Sequence, residues 1–223
     1  MIEMGLKKVD TYKHKGLRKK LIEEIRNKGI NNEDVLRAMD NVPRHFFLDA
    51  AFEKVAYEDR AFQIGEGQTI SHPYTVAYQT QLLDVKPFQK ILEIGTGSVY
   101  QASVLAEMGA WVYTIERQKK LFERNHDFPL KQKYFTIKFF DGDGFEGLPI
   151  YAPFDRIIIT AAAPHIPSKL IKQLKVGGIM VIPVDNGGKG QTMTRIIKHS
   201  EEEIEEQQFE DFRFVPMLKG IAK

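Results

Sequence analysis

A glycine turn, Gly95-Thr96-Gly97, follows the apolar run Ile91-Leu92-Glu93-Ile94 and precedes a helical stretch, Tyr100–Ala106. A strand that runs through such a turn into a helix leaves backbone N–H groups free, a geometry that receives nucleotides. The bare Cα of Gly97 allows a ligand to approach closely. Gly-x-Gly turns also close ordinary strand–helix units, so the residues around the turn decide its meaning. Glu116 stands nineteen residues after Gly97, at the end of the next apolar run. A carboxylate there commonly accepts hydrogen bonds from both hydroxyls of a ribose; alone it is an exposed strand-end glutamate. Asp143, before Gly144 in a Gly-Asp-Gly turn, can accept from an exocyclic amine such as that of adenine; alone it is a turn residue. A second stretch, Tyr57–Tyr74, lacks lasting periodicity and contains the hydroxyl-rich, base-poor run Gln68-Thr69-Ile70-Ser71. Long irregular segments inside compact domains are usually functional.

Composition narrows the chemistry. The chain has 223 residues and no cysteine, which excludes disulfides, thiolate metal sites and thiol nucleophiles. Its six histidines are scattered without metal-ligand spacing, so no metal is expected. A net charge of +2 is too near neutral to argue for nucleic acid. The apolar runs are too short to cross a bilayer, and no leader segment opens the chain, so a cytoplasmic protein without membrane or nucleic-acid partners is expected. Residues 1–20 hold seven Lys/Arg against two acids, and Glu201–Asp211 holds seven acids; both read as solvated ends or edges.

These residues need elements to position them. Residues 1–16 read as a basic, frayed lead-in ahead of a single domain, 17–223. Within it, 17–74 reads as a helical cap plus the active-site loop, with helices at Leu17–Lys28 and Glu33–Met39, the second capped by Asn31 or Asn32. Residues 75–223 read as a Rossmann-like core. Its helices fall at Thr75–Leu83, Tyr100–Ala106, Gln118–Arg124 and Pro167–Leu174, the last closed by Gly177-Gly178. Its strands fall at Ile91–Ile94, Trp111–Ile115, Tyr134–Phe140, Asp155–Ala161 and Ile179–Pro183. Gln191–Lys198 and Phe209–Val215 follow with no helix between them, as an antiparallel pair. The fold class is therefore α/β: a doubly wound, mostly parallel, seven-stranded sheet with an N-terminal helical cap. Ligands of such sheets bind at the carboxyl ends of the strands, where strand order reverses.

The turn, Glu116 and Asp143 together resemble the binding plan of class I S-adenosylmethionine-dependent methyltransferases. Dinucleotide dehydrogenases would want a glycine at Tyr100. Four segments narrow the resemblance: Val42-Pro43-Arg44-His45-Phe46-Phe47, Ile64–Tyr74, Leu92–Ser98 and Ala152–Ala162. Together with Phe214–Leu218 they resemble the protein-L-isoaspartate O-methyltransferases, from about Leu17 to the C-terminus. The resemblance implies S-adenosyl-L-methionine as cofactor and methylation of the α-carboxylate of isoaspartyl residues in damaged proteins and peptides. It implies Ser71 as the active-site serine, a positioning donor rather than a covalent nucleophile, with Thr69 and Ile70 closing over cofactor and substrate. Glu93, Gly95, Gly97, Glu116, Asp143 and Gly144 would surround the cofactor. Glu93 reads equally well as a strand-end carboxylate satisfied by nearby N–H groups. A monomer is expected. A related methyltransferase with another acceptor, or a non-catalytic binding module, are the competing readings. Val99 departs from the family, whose turn carries a third glycine there. Valine is tolerated if its backbone is helical and strained if its φ is positive, so altered packing with retained cofactor binding is expected.

Overall fold

The computed structural model describes residues 8–188 and 190–222. The first helix, α1 (Tyr12–Asn27), begins five residues before the expected Leu17. Residues 8–16 are therefore not a frayed lead-in; residues 1–7 lie outside the described part. The start of α1 is fixed by polar contacts that hydrophobic periodicity does not register. Thr11 caps the helix by accepting from the His14 N–H, and the His14 ring accepts from the Thr11 N–H. Arg18 forks onto both Asp10 oxygens at 3.0 Å and donates to the Tyr57 hydroxyl at 2.9 Å. The His14 ring stacks on His45 at 3.9 Å.

Helix α2 (Glu33–Asn41) is capped by Asn32, which accepts from the Asp34 and Val35 N–H groups. Two 3-10 turns, Arg44–Phe47 and Ala50–Val55, lead into the stretch expected to be irregular. That stretch instead holds an antiparallel hairpin, β1 (Phe62–Gly65) and β2 (Gln68–Ile70). Its turn residues Glu66 and Gly67 both have positive φ, as tight hairpin turns require. Glutamate is an uncommon residue there, which hid the hairpin. Helix α3 (Pro73–Leu83) follows with proline at its first position. The Asp59 carboxylate, from outside the helix, accepts from the Tyr74 N–H at 2.8 Å.

The core alternates β3 (Lys90–Ile94), α4 (Tyr100–Glu107), β4 (Trp111–Glu116), α5 (Lys119–Asn125), β5 (Ile137–Asp141), β6 (Phe154–Ile159), α6 (Ser168–Gln173) and β7 (Leu174–Asp185). Strands β8 (Gln191–Lys198) and β9 (Ile204–Phe212) complete a seven-stranded sheet ordered β5-β4-β3-β6-β7-β8-β9. The first five are parallel and the last two antiparallel, as expected. Three boundaries move. Tyr134 lies in a turn before β5, its hydroxyl donating to Glu107. Gly177-Gly178 lie inside β7 rather than closing a helix. A β-carbon on Gly178 would meet the Lys175 carbonyl at 2.7 Å, and the β6–β7 register shifts nearby, so these glycines serve an irregular strand start. Strand β9 includes most of the acidic segment. Its exposed carboxylates repel further strand pairing at the sheet's edge.

Both faces of the sheet are covered. Ile91, Ile158 and Val181 join one buried cluster with the cap, α3 and α4, while their neighbours Leu92, Ile157, Ile159 and Met180 join another. This is the alternation of a strand buried on both sides, and each fully buried Ile or Leu contributes about 1.5–3 kcal/mol. Strand order reverses between β3 and β6. No helix among the described residues is long and apolar enough to cross a membrane.

Candidate active site

A cleft opens at the carboxyl ends of β3, β4 and β6, where strand order reverses. Thr69, Ile70, Ser71, Gly95, Gly97, Glu116 and Gly144, all expected site residues, line it. The hairpin brings the first three to the turn, and Arg124 of α5 ties it down by donating to the Ile64 carbonyl at 2.9 Å. The C-terminal segment Val215–Leu218 forms another wall. It is held by hydrogen bonds between Ala162 and both Val215 and Met217.

The turn is stapled from several sides. Glu116 accepts from the Gly97 N–H at 2.9 Å and the Gln118 N–H at 2.8 Å. Asn125 donates to the Gly97 carbonyl at 2.9 Å. Thr160, at the end of β6, donates to the Ile94 and Gly95 carbonyls. Gly95 has φ +98°, and a β-carbon there would meet Thr160 Oγ1 at 2.5 Å. Gly95→Ala therefore combines left-handed strain with overpacking, an expected loss of about 2–4 kcal/mol read by chemical denaturation, with impaired cofactor binding by calorimetry.

Two expected cofactor residues stand elsewhere. Asp143 does not line the cleft. Its oxygens accept from the Phe145 N–H at 2.9 Å and the Gly220 N–H at 2.7 Å, so it fastens the C-terminal segment to its own turn. Sequence spacing placed the aspartate beside Gly144, but the partners that orient its carboxylate lie outside that spacing. Glu93 is fully buried beneath the turn. It accepts from the Thr114 hydroxyl at 2.5 Å, and Thr114 in turn bonds Thr96, so Glu93 reaches the turn only through two hydroxyls. Its other oxygen has no partner among the described residues.

Burial pushes the Glu93 carboxyl up to about 8, with the nearby Glu116 adding to the rise. Its folded value thus exceeds the ordinary carboxylate range. Between the two the native state keeps a proton that the unfolded chain has lost, so stability falls as pH rises through that window. Glu93→Gln removes this dependence. The variant's Tm is expected to match the parent's near about pH 5 and exceed it near about pH 8, as scanning calorimetry would show.

The acceptor side of the cleft is rich in hydroxyls, with the exposed His72 ring beside them. Thr69, Ser71 and Thr160 are shared with an adjoining pocket that also includes His72, Arg213, Phe214 and Val215. The backbone around Ser71 is clamped. Arg44 donates to the Ser71 carbonyl at 2.7 Å, and the His72 ring bonds the Asp59 carbonyl at 3.1 Å. His45 is buried against Tyr57 and is pushed down to about 4 by burial and by His14. Asp10, His14 and His45 come within 4.8 Å of one another, but Arg18 holds Asp10 and Glu53 pairs with His14. Gln101 escaped the sequence reading. It lines the cleft from α4 with an unpartnered Oε1, and only its position in the first turn of that helix could have flagged it.

Val99 occupies the conformation in which valine is strained. It has φ +71° and ψ 0°, and its side chain is fully buried. The left-handed state costs about 1–2 kcal/mol, whereas burying the side chain gains about 1.5–3. Val99→Gly is thus expected to shift Tm by no more than about 3 °C, because the two effects oppose. Val104→Gly in the middle of α4 loses burial and adds a helix penalty of about 1 kcal/mol, so its Tm falls much further. Parallel thermal melts check the pair.

The cleft suits a nucleoside-bearing sulfonium: a bare glycine turn and a carboxylate at the next strand end. Comparison with known proteins agrees. The family profile for protein-L-isoaspartate(D-aspartate) O-methyltransferase matches residues 16–222. A protein-L-isoaspartate O-methyltransferase from Cytophaga hutchinsonii is 57% identical over 209 residues, covering 94% of both chains. One from Christiangramia forsetii is 50% identical, covering 94% of this chain and 98% of its own. Among solved structures, a Plasmodium falciparum protein assigned as a protein-L-isoaspartate O-methyltransferase, in complex with S-adenosyl-L-homocysteine, superimposes with a TM-score of 0.80. It is 25% identical and covers 91% of this chain and 99% of its own. On fold, cleft and sequence alike, the chain belongs to the protein-L-isoaspartate(D-aspartate) O-methyltransferase family.

Proposed function

We propose that this chain transfers the methyl group of S-adenosylmethionine to the α-carboxylate of L-isoaspartyl residues in proteins and peptides. The observation that carries this reading is that Ser71 and Thr69 share one cleft with the Gly95–Gly97 turn and Glu116. Bound there, the cofactor supplies an electrophilic methyl on a sulfonium. Gly95 and Gly97 would allow its close approach, Glu116 would accept from its ribose, and Thr69, Ile70 and Gly144 would pack around it. The acceptor carboxylate is ionised at neutral pH and needs no base. The chain's task is to orient it and exclude water, and orientation alone can lower a barrier substantially. The Ser71 hydroxyl, which has no partner among the hydrogen bonds of the described residues, is free to donate to that carboxylate.

We further propose that the active unit is a monomer acting on peptide rather than nucleic acid, in keeping with a net charge of only +2. Light scattering with and without substrate tests the former. Mass spectrometry of an isoaspartyl peptide incubated with S-adenosylmethionine tests the reaction. A methyl ester that decays to the succinimide supports it; an unmodified peptide contradicts it.

A further inference from the structure

Arg44 follows the second helix of the cap and is fully buried. Such a group is costly to bury unless a carboxylate pairs with it. None does so among the described residues. Asp59 contributes only at a distance and is itself held by Lys28 and the Tyr74 N–H. Desolvation outweighs what attraction exists and pushes the guanidinium down to about 10. Instead, Nη2 donates to the carbonyls of Ser71 at 2.7 Å and Arg60 at 3.3 Å. The guanidinium also lies 5.0 Å from the centre of the Tyr100 ring. Nε and Nη1 have no partner among the described residues. Arg44 therefore touches both halves of the cleft, the acceptor loop through Ser71 and the cofactor helix α4 through Tyr100, which lines the cleft.

We propose that Arg44 is a positioning residue for methyl transfer: it locks the Ser71 backbone against the Tyr100 ring, and its unneutralised charge favours an anionic acceptor at Ser71. The proposal rests on the carboxylate-methylation reading above. A buried cation without an acid is poor stabilisation, because an apolar side chain of similar volume is often neutral or better. Its retention beneath the acceptor loop follows if the charge and the fork serve the site rather than the fold. Lysine keeps the charge but lacks the planar fork, and its ammonium is more strongly hydrated.

The test compares parent, Arg44→Lys and Arg44→Met by three measurements: thermal melting, kcat/KM for an isoaspartyl peptide, and hydrogen exchange across Ser71–Tyr74. Activity is expected to fall in the order parent, lysine, methionine, with the methionine variant down by about 10²-fold, as for a catalytic group misplaced by about 1 Å. Stability is expected to run differently, with methionine at or above the parent and lysine lowest. The Ser71–Tyr74 amides should exchange faster in the methionine variant, while S-adenosylhomocysteine affinity by calorimetry stays close to the parent's. Activity and Tm falling together in the same order would show a merely structural arginine and overturn the proposal, as would parent-like activity in Arg44→Met. The parent's own turnover separates the two claims: an inactive parent removes the reaction assigned above. The exchange result alone then decides whether Arg44 positions the loop, with unchanged exchange overturning it.

Discussion

Ser71→Ala is expected to lower kcat/KM for an isoaspartyl peptide by about 10²-fold, the scale of a misplaced reacting group, while leaving S-adenosylmethionine affinity nearly unchanged. The direction follows from the charge balance of the reaction. The acceptor carboxylate loses its charge as the new bond forms, so a donor bound to it gives no special help to the transition state. Ser71 therefore acts by geometry, holding the carboxylate in line, and its removal should lower kcat and raise the peptide's KM together. The fold gives the experiment a clean background. Arg44 holds the backbone carbonyl of Ser71, not its hydroxyl, and Asp59 holds the next turn through the Tyr74 N–H. Alanine keeps both clamps, so Tm should move by less than about 2 °C. Steady-state kinetics with calorimetric titration of the cofactor check the outcome. Parent-like activity would remove Ser71 from the reaction.

Glu116→Ala is expected to act on the opposite partner. A carboxylate accepting from two ribose hydroxyls contributes about 1.5–3 kcal/mol for each hydrogen bond, so cofactor affinity should weaken by about 10²–10⁴-fold. The same carboxylate staples the turn by accepting from the Gly97 and Gln118 N–H groups. Alanine therefore loosens the ligand's platform as well as removing its acceptor. Glu116→Gln keeps one acceptor oxygen and a similar shape, and about a tenfold weakening is expected. Because the proposed role of Glu116 is on the cofactor side alone, kcat at saturating cofactor should survive in the glutamine variant. Calorimetry with S-adenosylhomocysteine measures the affinities. Equal affinity in parent and Glu116→Ala would exclude the ribose assignment.

The parallel sheet and its switch point were legible because strand, turn and helix are each written locally: in Ile91–Ile94, in Gly95–Gly97 and in the helical spacing after Tyr100. The two-sided burial of β6 was equally open, since Ile157-Ile158-Ile159 has no polar face. Features built by polar contacts across long separations were not. The start of α1 depends on Arg18 meeting Asp10 and Tyr57, and the hairpin depends on Glu66 adopting positive φ. Neither leaves an apolar period. At the site, Glu116 and the glycines stand where spacing put them, because a strand end fixes both backbone and side-chain direction. The carboxylate directions of Asp143 and Glu93 were not legible, because which way a carboxylate turns depends on partners far along the chain, Gly220 for one and Thr114 for the other. Val99 shows a third case. A substitution against pattern kept the glycine-like backbone rather than relaxing it, and only φ reveals this.

The acceptor assignment rests on the Gln68–Ser71 run sharing a cleft with the cofactor turn. Its most direct test is the initial rate of methyl transfer from labelled S-adenosylmethionine to two peptides that differ only in one isoaspartyl or normal aspartyl linkage. Rapid labelling of the isoaspartyl peptide, with its aspartyl twin at background, is the predicted result. Equal labelling of both, or labelling of neither by a chain that binds the cofactor, would contradict it.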